Sequence, residues 1–363
     1  KRGARPVYKK ARTVPYALLP LVDKELERWV REGIAEKTDA EHGPSGWGTP
    51  LVPVLKPNGQ VRLCANYSLT VNPQLMVTPY PLPAPEDLFA NIRGRVFAKL
   101  DIRRAYEHME LDEESRDLTT VTTHRGSYRM IRMPYGIASC GFLFQQAMDK
   151  ILEGLHGCVC YMDDCLIAAE DEQELLRRLD RVLDRLEKHG LRLERSKCVF
   201  MTREVSYLGW RITGDSIRPE EDGTAALLQA PEPQDVHQLR SLLGSVNYYS
   251  RLLPGLATTL APLYALLKHG TPWKWTASCS AAVAEVKRLL ASGRVLVRYD
   301  PHLPLKLVTD ASATGVGAAL LHRMPDGTER PIMFASRTLT PTERRYAQVE
   351  KEATGVQYGI RRF

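Results

Sequence analysis

Two adjacent carboxylates, Asp163 and Asp164, lie between two short apolar runs, Gly157-Cys158-Val159-Cys160-Tyr161 and Cys165-Leu166-Ile167-Ala168-Ala169. Apolar flanks of this length, rich in β-branched residues, read as two strands with the Asp pair at the tight turn between them. Turns accept Asp because its side chain bonds locally to backbone, so a lone pair of this kind is also an ordinary hairpin tip. A third carboxylate in a similar setting shifts that reading. Val96-Phe97-Ala98-Lys99-Leu100-Asp101-Ile102 is another apolar run that ends on an Asp. Three carboxylates at the ends of neighbouring strands suit two hard divalent cations held against phosphate oxygens.

Composition agrees with a phosphate-rich partner without demanding one. The 363 residues carry 50 Lys+Arg against 43 Asp+Glu, a formal net charge of +7, and 44% are hydrophobic. That length favours two or more domains with a substantial core. Of the 7 Cys, Cys158, Cys160 and Cys165 are close together but lack Cys-x-x-Cys spacing. They read as buried reduced thiols, which points to a reducing compartment. No apolar run reaches the length of a membrane span and no signal peptide is evident, so no membrane partner is expected. A first residue of Lys points to a piece of a longer chain.

The basic arm Lys1–Arg12 either lies along phosphates or is simply solvated. Val22, Leu26, Trp29 and Val30 fall at helical spacing before Gly33 and mark a structural helix. Residues 49–55 and 61–65 read as strands joined through Pro57-Asn58-Gly59, a hairpin with Lys56 before the turn and Arg62 after it. Those charges either face solvent or close over a triphosphate. A proline-rich crossing and a short helix over 86–92 lead into the Asp101 strand. In the turn that follows it, backbone N–H groups of Ile102–Tyr106 are placed to cradle phosphate, with Tyr106 beside a sugar. Gly126–Met133 reads as a strand broken by Pro134-Tyr135-Gly136, followed by a helix over 142–155. Leu175, Leu179, Val182 and Leu186 mark an amphipathic helix closed by Gly190. Residues 191–193, 198–200 and 205–210 return to strand. Further on, 305–310 and 331–336 read as strands separated by a glycine-rich turn before Leu320, and a helix begins near Thr342.

The order Lys56…Arg62, Leu100-Asp101 with Tyr106, Met133-Pro134-Tyr135-Gly136, Tyr161-Met162-Asp163-Asp164, Lys197 and Tyr207-Leu208-Gly209 resembles a reverse transcriptase. Within that family it looks most like the polymerase of gypsy-type long-terminal-repeat retrotransposons. Leu239–Gly244 with Asn247–Arg251 resembles the thumb and connection of that branch. Thr309-Asp310-Ala311-Ser312 with Gly315–Ala318 resembles the opening of its ribonuclease H domain.

The resemblance implies a fold and a chemistry. The expected fold is α+β: a right-hand polymerase of fingers, palm and thumb/connection, then a truncated ribonuclease H-like α/β lobe. The segments would be a basic arm and helix (1–48), fingers and palm (49–213), thumb/connection (214–299) and the partial lobe (300–363). The activity implied is RNA- and DNA-directed DNA synthesis from deoxynucleoside triphosphates on a primed RNA or DNA template. Asp101, Ile102, Asp163 and Asp164 are the positions implied for two Mg²⁺, with Mn²⁺ as a substitute. Lys56 and Arg62 would neutralise the triphosphate, with Arg104 and Ala105 beside it. Tyr106 would be the steric gate against a ribose 2′-hydroxyl, and Tyr135 with Gly136 would pack beside the nucleotide. Lys197 would donate a proton to pyrophosphate or make a salt bridge. Leu208 and Gly209 would grip the primer end.

In the last segment Asp310 and Glu352 would be ribonuclease H carboxylates, with Glu350 the alternative to Glu352. Cleavage of the RNA of a hybrid is expected to be lost, and 301–363 is expected to be the least stable part. The family commonly has Asp-Tyr-Arg where this chain has Asn66-Tyr67-Ser68, and Asn-Ala-Pro where it has Ser139-Cys140-Gly141. These departures keep open a decayed, non-catalytic nucleic-acid binder. A generic two-metal nuclease is disfavoured, since it has no triphosphate to hold. The family also implies a cytoplasmic virus-like particle, or the nucleus, as location. A monomer and a homodimer are equally compatible with the sequence.

Overall fold

Helix α1 (Leu19–Arg31) begins with a proline in its first turn and buries Val22, Leu26 and Trp29. Gly33 then takes φ +65° and Ile34 N–H bonds back to the Trp29 carbonyl. In the computed structural model the described residues are 3–38, 46–56, 58–77 and 79–363. Lys1 and Arg2 of the basic arm, residues 39–45, Pro57 of the hairpin turn and Thr78 of the proline-rich crossing lie outside them. The chain divides into two compact units, residues 1–92 with 98–201, and residues 93–97 with 202–363.

The first unit holds two sheets. Strands β1 (Ala35–Thr38), β2 (Thr49–Leu55) and β3 (Val61–Ala65) precede α2 (Pro85–Asn91), β4 (Val96–Asp101) and α3 (Glu113–Leu118). After β5 (Val121–Thr123), β6 (Gly126–Met130) and α4 (Cys140–Ile151) come β7 (Cys158–Tyr161), β8 (Asp164–Ala169), α5 (Glu172–Lys188) and β9 (Val199–Thr202). The five-stranded sheet runs β1-β6-β5-β2-β3 and the four-stranded one β7-β8-β4-β9. In the larger sheet β2 and β5 pair in parallel while β2 and β3 form an antiparallel hairpin. Leu26 and Trp29 of α1 share a core with Leu63, Tyr67, Val121 and Met130. Helix α5 buries Leu175, Leu179, Val182 and Leu186 and packs on β8. Its N-cap Asp171 accepts from Glu174 N–H, the usual satisfaction of a first-turn donor.

The second unit opens with β10 (Glu204–Tyr207), β11 (Trp210–Thr213) and β12 (Ser216–Pro219). Helices α6 (Glu221–Gln229), α7 (Val236–Tyr248), α8 (Leu256–Thr259), α9 (Ala261–Ala265) and α10 (Ala277–Ala291) follow, then β13 (Leu296–Val297). Strand β13 completes the sheet β10-β11-β12-β13. The antiparallel sheet β14 (Leu305–Ala311), β15 (Gly315–Arg323), β16 (Glu329–Thr338) carries α11 (Gln348–Arg362). Two glycines let α11 approach β14. A Cβ at Gly359 would stand 3.1 Å from Leu307 and Thr309 side-chain carbons, and one at Gly355 would stand 3.6 Å from the Asp310 carbonyl oxygen.

Several local expectations are corrected. Val30 is 49% exposed, because the burying face of α1 runs through Val22, Leu26 and Trp29. Residues 191–193 form no strand; Leu193 makes an isolated bridge to Ile102. The run 205–210 is two strands folded at Leu208-Gly209. Gly315 and Gly317 lie inside β15, where Gly317 pairs with Asp310 and Ser336, so the reversal is at 312–314. Helix α4 stops at Ile151, and the final α-helix starts at Gln348, after a short 3₁₀ turn over Glu343–Arg345.

Candidate active site

Strands β7 and β8 pair Tyr161 with Asp164, leaving Met162 and Asp163 as a two-residue turn. Asp163 is therefore in the turn and Asp164 is the first residue of β8, a correction to the placing of both in the turn. Met162 takes φ +55°, a region that residues with a side chain seldom enter. Gln145 of α4 holds it there. The Gln145 side chain is fully buried; its Oε1 accepts from Met162 N–H at 2.7 Å, and its Nε2 donates to the Cys160 carbonyl at 3.0 Å and to Asp149 at 2.8 Å. Strand β4 lies beside β8, which brings Asp101 to the same sheet end, and Ile102 N–H donates to the Asp163 carbonyl at 3.1 Å.

Lysines stand against two of the carboxylates. Lys197 Nζ is 3.2 Å from both Asp101 oxygens, and Lys99 Nζ is 3.3 Å from Asp164 Oδ1. Of the two readings for Lys197, the salt bridge is the one present. Burial, and then the nearby Asp164 and Asp101, push the Asp163 carboxyl above its ordinary pKa. Among the described residues no group of three or more His, Cys, Asp or Glu side chains is gathered as a metal cluster. The donor chemistry nonetheless fits Mg²⁺: these are hard oxygen ligands whose mutual repulsion a divalent cation would relieve.

Asp101, Ile102 and Asp163 line a cleft of about 940 Å³ together with Lys56, Arg62, Arg104, Tyr135 and Lys197. Burial, then the charges of Arg62, Arg104 and Lys197, lower the Lys56 pKa. Cations that depress one another in this way form a site that an anion would stabilise. The Arg62 guanidinium lies over the Tyr135 ring, 5.1 Å from its centroid, and burial pushes the Tyr135 hydroxyl up to about 12. Tyr106 is half-buried behind it, with its ring centroid 5.0 Å from that of Tyr135 and 5.8 Å from that of Phe144. Arg104 has φ 52°, and the short 3₁₀ turn Ala105–His108 begins on the buried Ala105.

Gly136 is required where it stands. Its φ is +103°, and a Cβ would come within 2.7 Å of the Ala65 carbonyl oxygen. Asn72 pins the same turn, donating to the Gly136 carbonyl at 2.9 Å and accepting from Ala138 N–H at 3.0 Å. At Asn66-Tyr67-Ser68, where the charge pair of the usual pattern is missing, Ser68 makes a neutral hydrogen bond to Asn66, and the buried Tyr67 donates to the Thr119 carbonyl. At Gly141 a Cβ would meet Met162 Cε at 3.3 Å and the Tyr106 hydroxyl at 3.8 Å.

The remaining sequence-derived positions belong to the second unit. Leu208 (φ 49°) and Gly209 (φ 69°) form the tight turn between β10 and β11, and Tyr248 of α7 donates to the Leu208 carbonyl. Asp310 is on β14. Gln348 Nε2 donates both to Glu352 Oε1 at 2.8 Å and to the Ala311 carbonyl at 2.9 Å, which draws Glu352 toward the end of that strand. Glu350 instead accepts from Ala347 N–H at 2.8 Å and caps its own helix. All seven cysteines are free thiols, and burial pushes the Cys158 thiol up. Among the described residues no helix is long and apolar enough to cross a membrane.

Three residues that shape the site were not singled out from the sequence: Gln145, Asn72 and Arg28. Gln145 is a polar residue on a helix with an apolar stripe, and nothing local marks it as buried. Asn72 sits before a proline, where Asn is ordinary. Arg28 belongs to a helix rich in charged residues, and nothing local distinguishes it.

Known proteins give the setting. Residues 55–212 match the family model described as reverse transcriptase (RNA-dependent DNA polymerase), and 275–363 match an RNase H-like domain found in reverse transcriptase. The chain is 28% identical over 367 residues to the retrovirus-related Pol polyprotein from transposon 412 of Drosophila melanogaster, covering 99% of this chain and 29% of that polyprotein. It is 30% identical over 346 residues to the transposon Tf2-3 polyprotein of Schizosaccharomyces pombe, covering 94% of this chain and 26% of that one. The chain thus spans less than a third of the length of these relatives. Among solved structures, the foamy viral protease-reverse transcriptase in complex with double-stranded DNA superposes with a TM-score of 0.84 at 22% identity, over 99% of this chain and 74% of that one. A second foamy viral complex with double-stranded DNA, of the form termed dRH, gives a TM-score of 0.86 at 22% identity, over 99% and 62%. The fold is thus the mixed α/β fingers, palm and thumb architecture followed by a ribonuclease H-like lobe.

Proposed function

From the premise that this chain carries a reverse transcriptase domain of the retroviral and long-terminal-repeat retrotransposon type with an adjoining ribonuclease H-like segment, we propose that it is an RNA- and DNA-directed DNA polymerase. We place it in the gypsy-type branch as part of a retrotransposon polyprotein, working on a primed RNA or DNA template with deoxynucleoside triphosphates. The observation that carries the reading is the single cleft in which Asp101 and Asp163 face Lys56, Arg62, Arg104 and Lys197.

The reaction joins the primer 3′-oxygen to the α-phosphorus, breaks the bond from that phosphorus to the bridging oxygen, and releases pyrophosphate. Asp101, Asp163 and Asp164, with Ile102 between the two strand ends, would hold two Mg²⁺. Bound there, the ions supply a lowered pKa for the 3′-hydroxyl and charge stabilisation on pyrophosphate. Lys56, Arg62 and Arg104 bind and orient the triphosphate, whose charge relieves their mutual repulsion. The short turn opening on Ala105 sets Tyr106 beside the deoxyribose, and the Tyr135-Gly136 turn gives the nucleotide a packed wall. Lys197 is at hand to protonate pyrophosphate once its hold on Asp101 is released. Leu208 and Gly209 grip the primer end. In the ribonuclease H-like segment, Asp310 and Glu352 are the carboxylates we assign. The family points to particles in the cytoplasm, or to the nucleus, as the place of action.

A second reading, a non-catalytic nucleic-acid binder of the same descent, is favoured by one observation: Lys197 and Lys99 already neutralise Asp101 and Asp164. Primer extension separates the two. The purified chain, given a primed RNA or DNA template, Mg²⁺ and deoxynucleotides, should lengthen the primer. Retention of the template without any extension would leave the binder.

A further inference from the structure

Helix α1 lines the same cleft, and its Arg28 has no part in the reaction above. Arg28 is only 6% exposed, and a buried guanidinium is costly unless it is fully paired. Its two terminal nitrogens make four hydrogen bonds. They go to Glu25 at 2.7 Å, to Glu32 at 2.7 Å and, as a fork, to both oxygens of Glu107 at 3.0 and 3.1 Å. Burial works against the charged guanidinium, but the bonds to Glu25 and Glu107 outweigh it and hold Arg28 firmly protonated.

The partners place this network in the nucleotide site. Glu107 follows Tyr106 directly, and its N–H closes the turn on the Arg104 carbonyl at 2.9 Å. Glu32 also accepts from Arg104 at 3.3 Å. Arg104 is in the left-handed region at φ 52°, a conformation that persists where surrounding contacts over-determine it. Arg28 thus ties both ends of the turn 104–107 to a helix 79 residues away in the sequence. It has an electrostatic role as well. Arg28, Glu25 and Glu107 line the same cleft as Lys56 and Arg62, and without Arg28 the carboxylates there would repel an incoming triphosphate. Among the described residues the Arg28 Nε has no hydrogen-bond partner, a cost that an ion pair selected for stability alone would avoid.

We propose that Arg28 is a positioning residue for the nucleotide: it fixes the Arg104–Glu107 turn and neutralises the carboxylates behind it, so that the triphosphate and sugar of the deoxynucleotide meet Arg104 and Tyr106 in working order. This rests on the polymerase reading and names a residue outside its catalytic set.

The test is single-nucleotide extension by the full chain, with KM for the deoxynucleotide, kcat and template–primer Kd measured for Arg28→Met, Arg28→Lys and the double variant Arg28→Met/Glu107→Gln. Arg28→Met should raise KM by about tenfold or more while template–primer Kd stays within about twofold, since duplex binding rests on many phosphate contacts. Arg28→Lys keeps the charge but not the fork and should fall between. The double variant removes charge from both sides and should recover part of the lost KM. Should Arg28→Met fail to fold, Arg28→Lys decides by the same shift in KM at unchanged template–primer Kd. Unaltered KM in the folded variants, with the unmutated chain active, overturns this inference alone. An unmutated chain that extends no primer overturns the polymerase reading and this inference with it.

Discussion

Replacing Gln145 with Leu tests how the Met162-Asp163 turn is held. The side chain is fully buried and makes three hydrogen bonds, two of them to backbone groups on either side of Tyr161. Leucine fills most of the volume but leaves Met162 N–H and the Cys160 carbonyl without that partner. Each buried polar group stranded in this way costs about 1–3 kcal/mol, so the pair comes to about 2–6 kcal/mol before the turn relaxes. The turn also holds Met162 at φ +55°, which costs about 1–3 kcal/mol and loses its counterweight. Relaxation there moves Asp163, and a displacement of about 1 Å at a reacting centre can cost about a hundredfold in rate. Urea unfolding should therefore show a loss of about 2–4 kcal/mol, and single-nucleotide extension, run where the variant is fully folded, should show kcat reduced at least about tenfold. A Gln145→Leu protein that loses less than about 1 kcal/mol and keeps kcat within about twofold of the unmutated value would refute the clamp.

Other expectations follow from the same geometry. Tyr106→Val should raise ribonucleotide incorporation relative to deoxynucleotide incorporation, because a ring is removed from beside the sugar; competitive extension with both nucleotides measures it, and unchanged discrimination in a folded variant would make Tyr106 a core ring only. Glu343, hydrogen-bonded by Arg337 and by Thr340 N–H, has its pKa lowered to about 2. A folded-state pKa below the unfolded one contributes stability that is present above the ordinary carboxylate range and is lost as pH falls toward about 2. Glu343→Ala should accordingly speed hydrogen exchange at the Thr340 amide at pH 7, after correction for intrinsic rates, and make little difference near pH 2. An equal effect at both pH values would contradict the pairing.

Much of this architecture was legible because it rests on local signals. The hairpin around Asp163, the strand ending at Asp101 and helix α5 each have an apolar pattern that only one element satisfies. The ordered motifs did the rest for the site, since Lys56, Arg62, Asp101, Tyr135, Asp163 and Lys197 do line one cleft. The errors fall where pattern and environment part company. Gly315 and Gly317 read as a turn, yet both belong to β15, where a Cβ at Gly315 would stand 2.8 Å from Thr258 Oγ1 and 3.1 Å from the Arg337 carbonyl oxygen. Val30 fits the helical period but lies just outside the buried arc of α1. Arg28 and Gln145 were missed for the opposite reason. A polar residue on an amphipathic helix defaults to solvent, and only tertiary contacts far away in sequence, such as Glu107 or the Cys160 carbonyl, reveal that it is buried and paired.

The most direct test of the central claim is primer extension by Asp163→Asn beside the unmutated chain, in Mg²⁺ and again after chelation, with template–primer binding measured in parallel. The substitution keeps the shape of the turn and removes one charge from the carboxylate set. Extension should fall by about a thousandfold or more in Asp163→Asn, and should fall likewise on chelation. Template–primer affinity should change little and should weaken with added salt. Extension by Asp163→Asn near the unmutated rate, or undiminished synthesis after the divalent ions are removed, would contradict that claim.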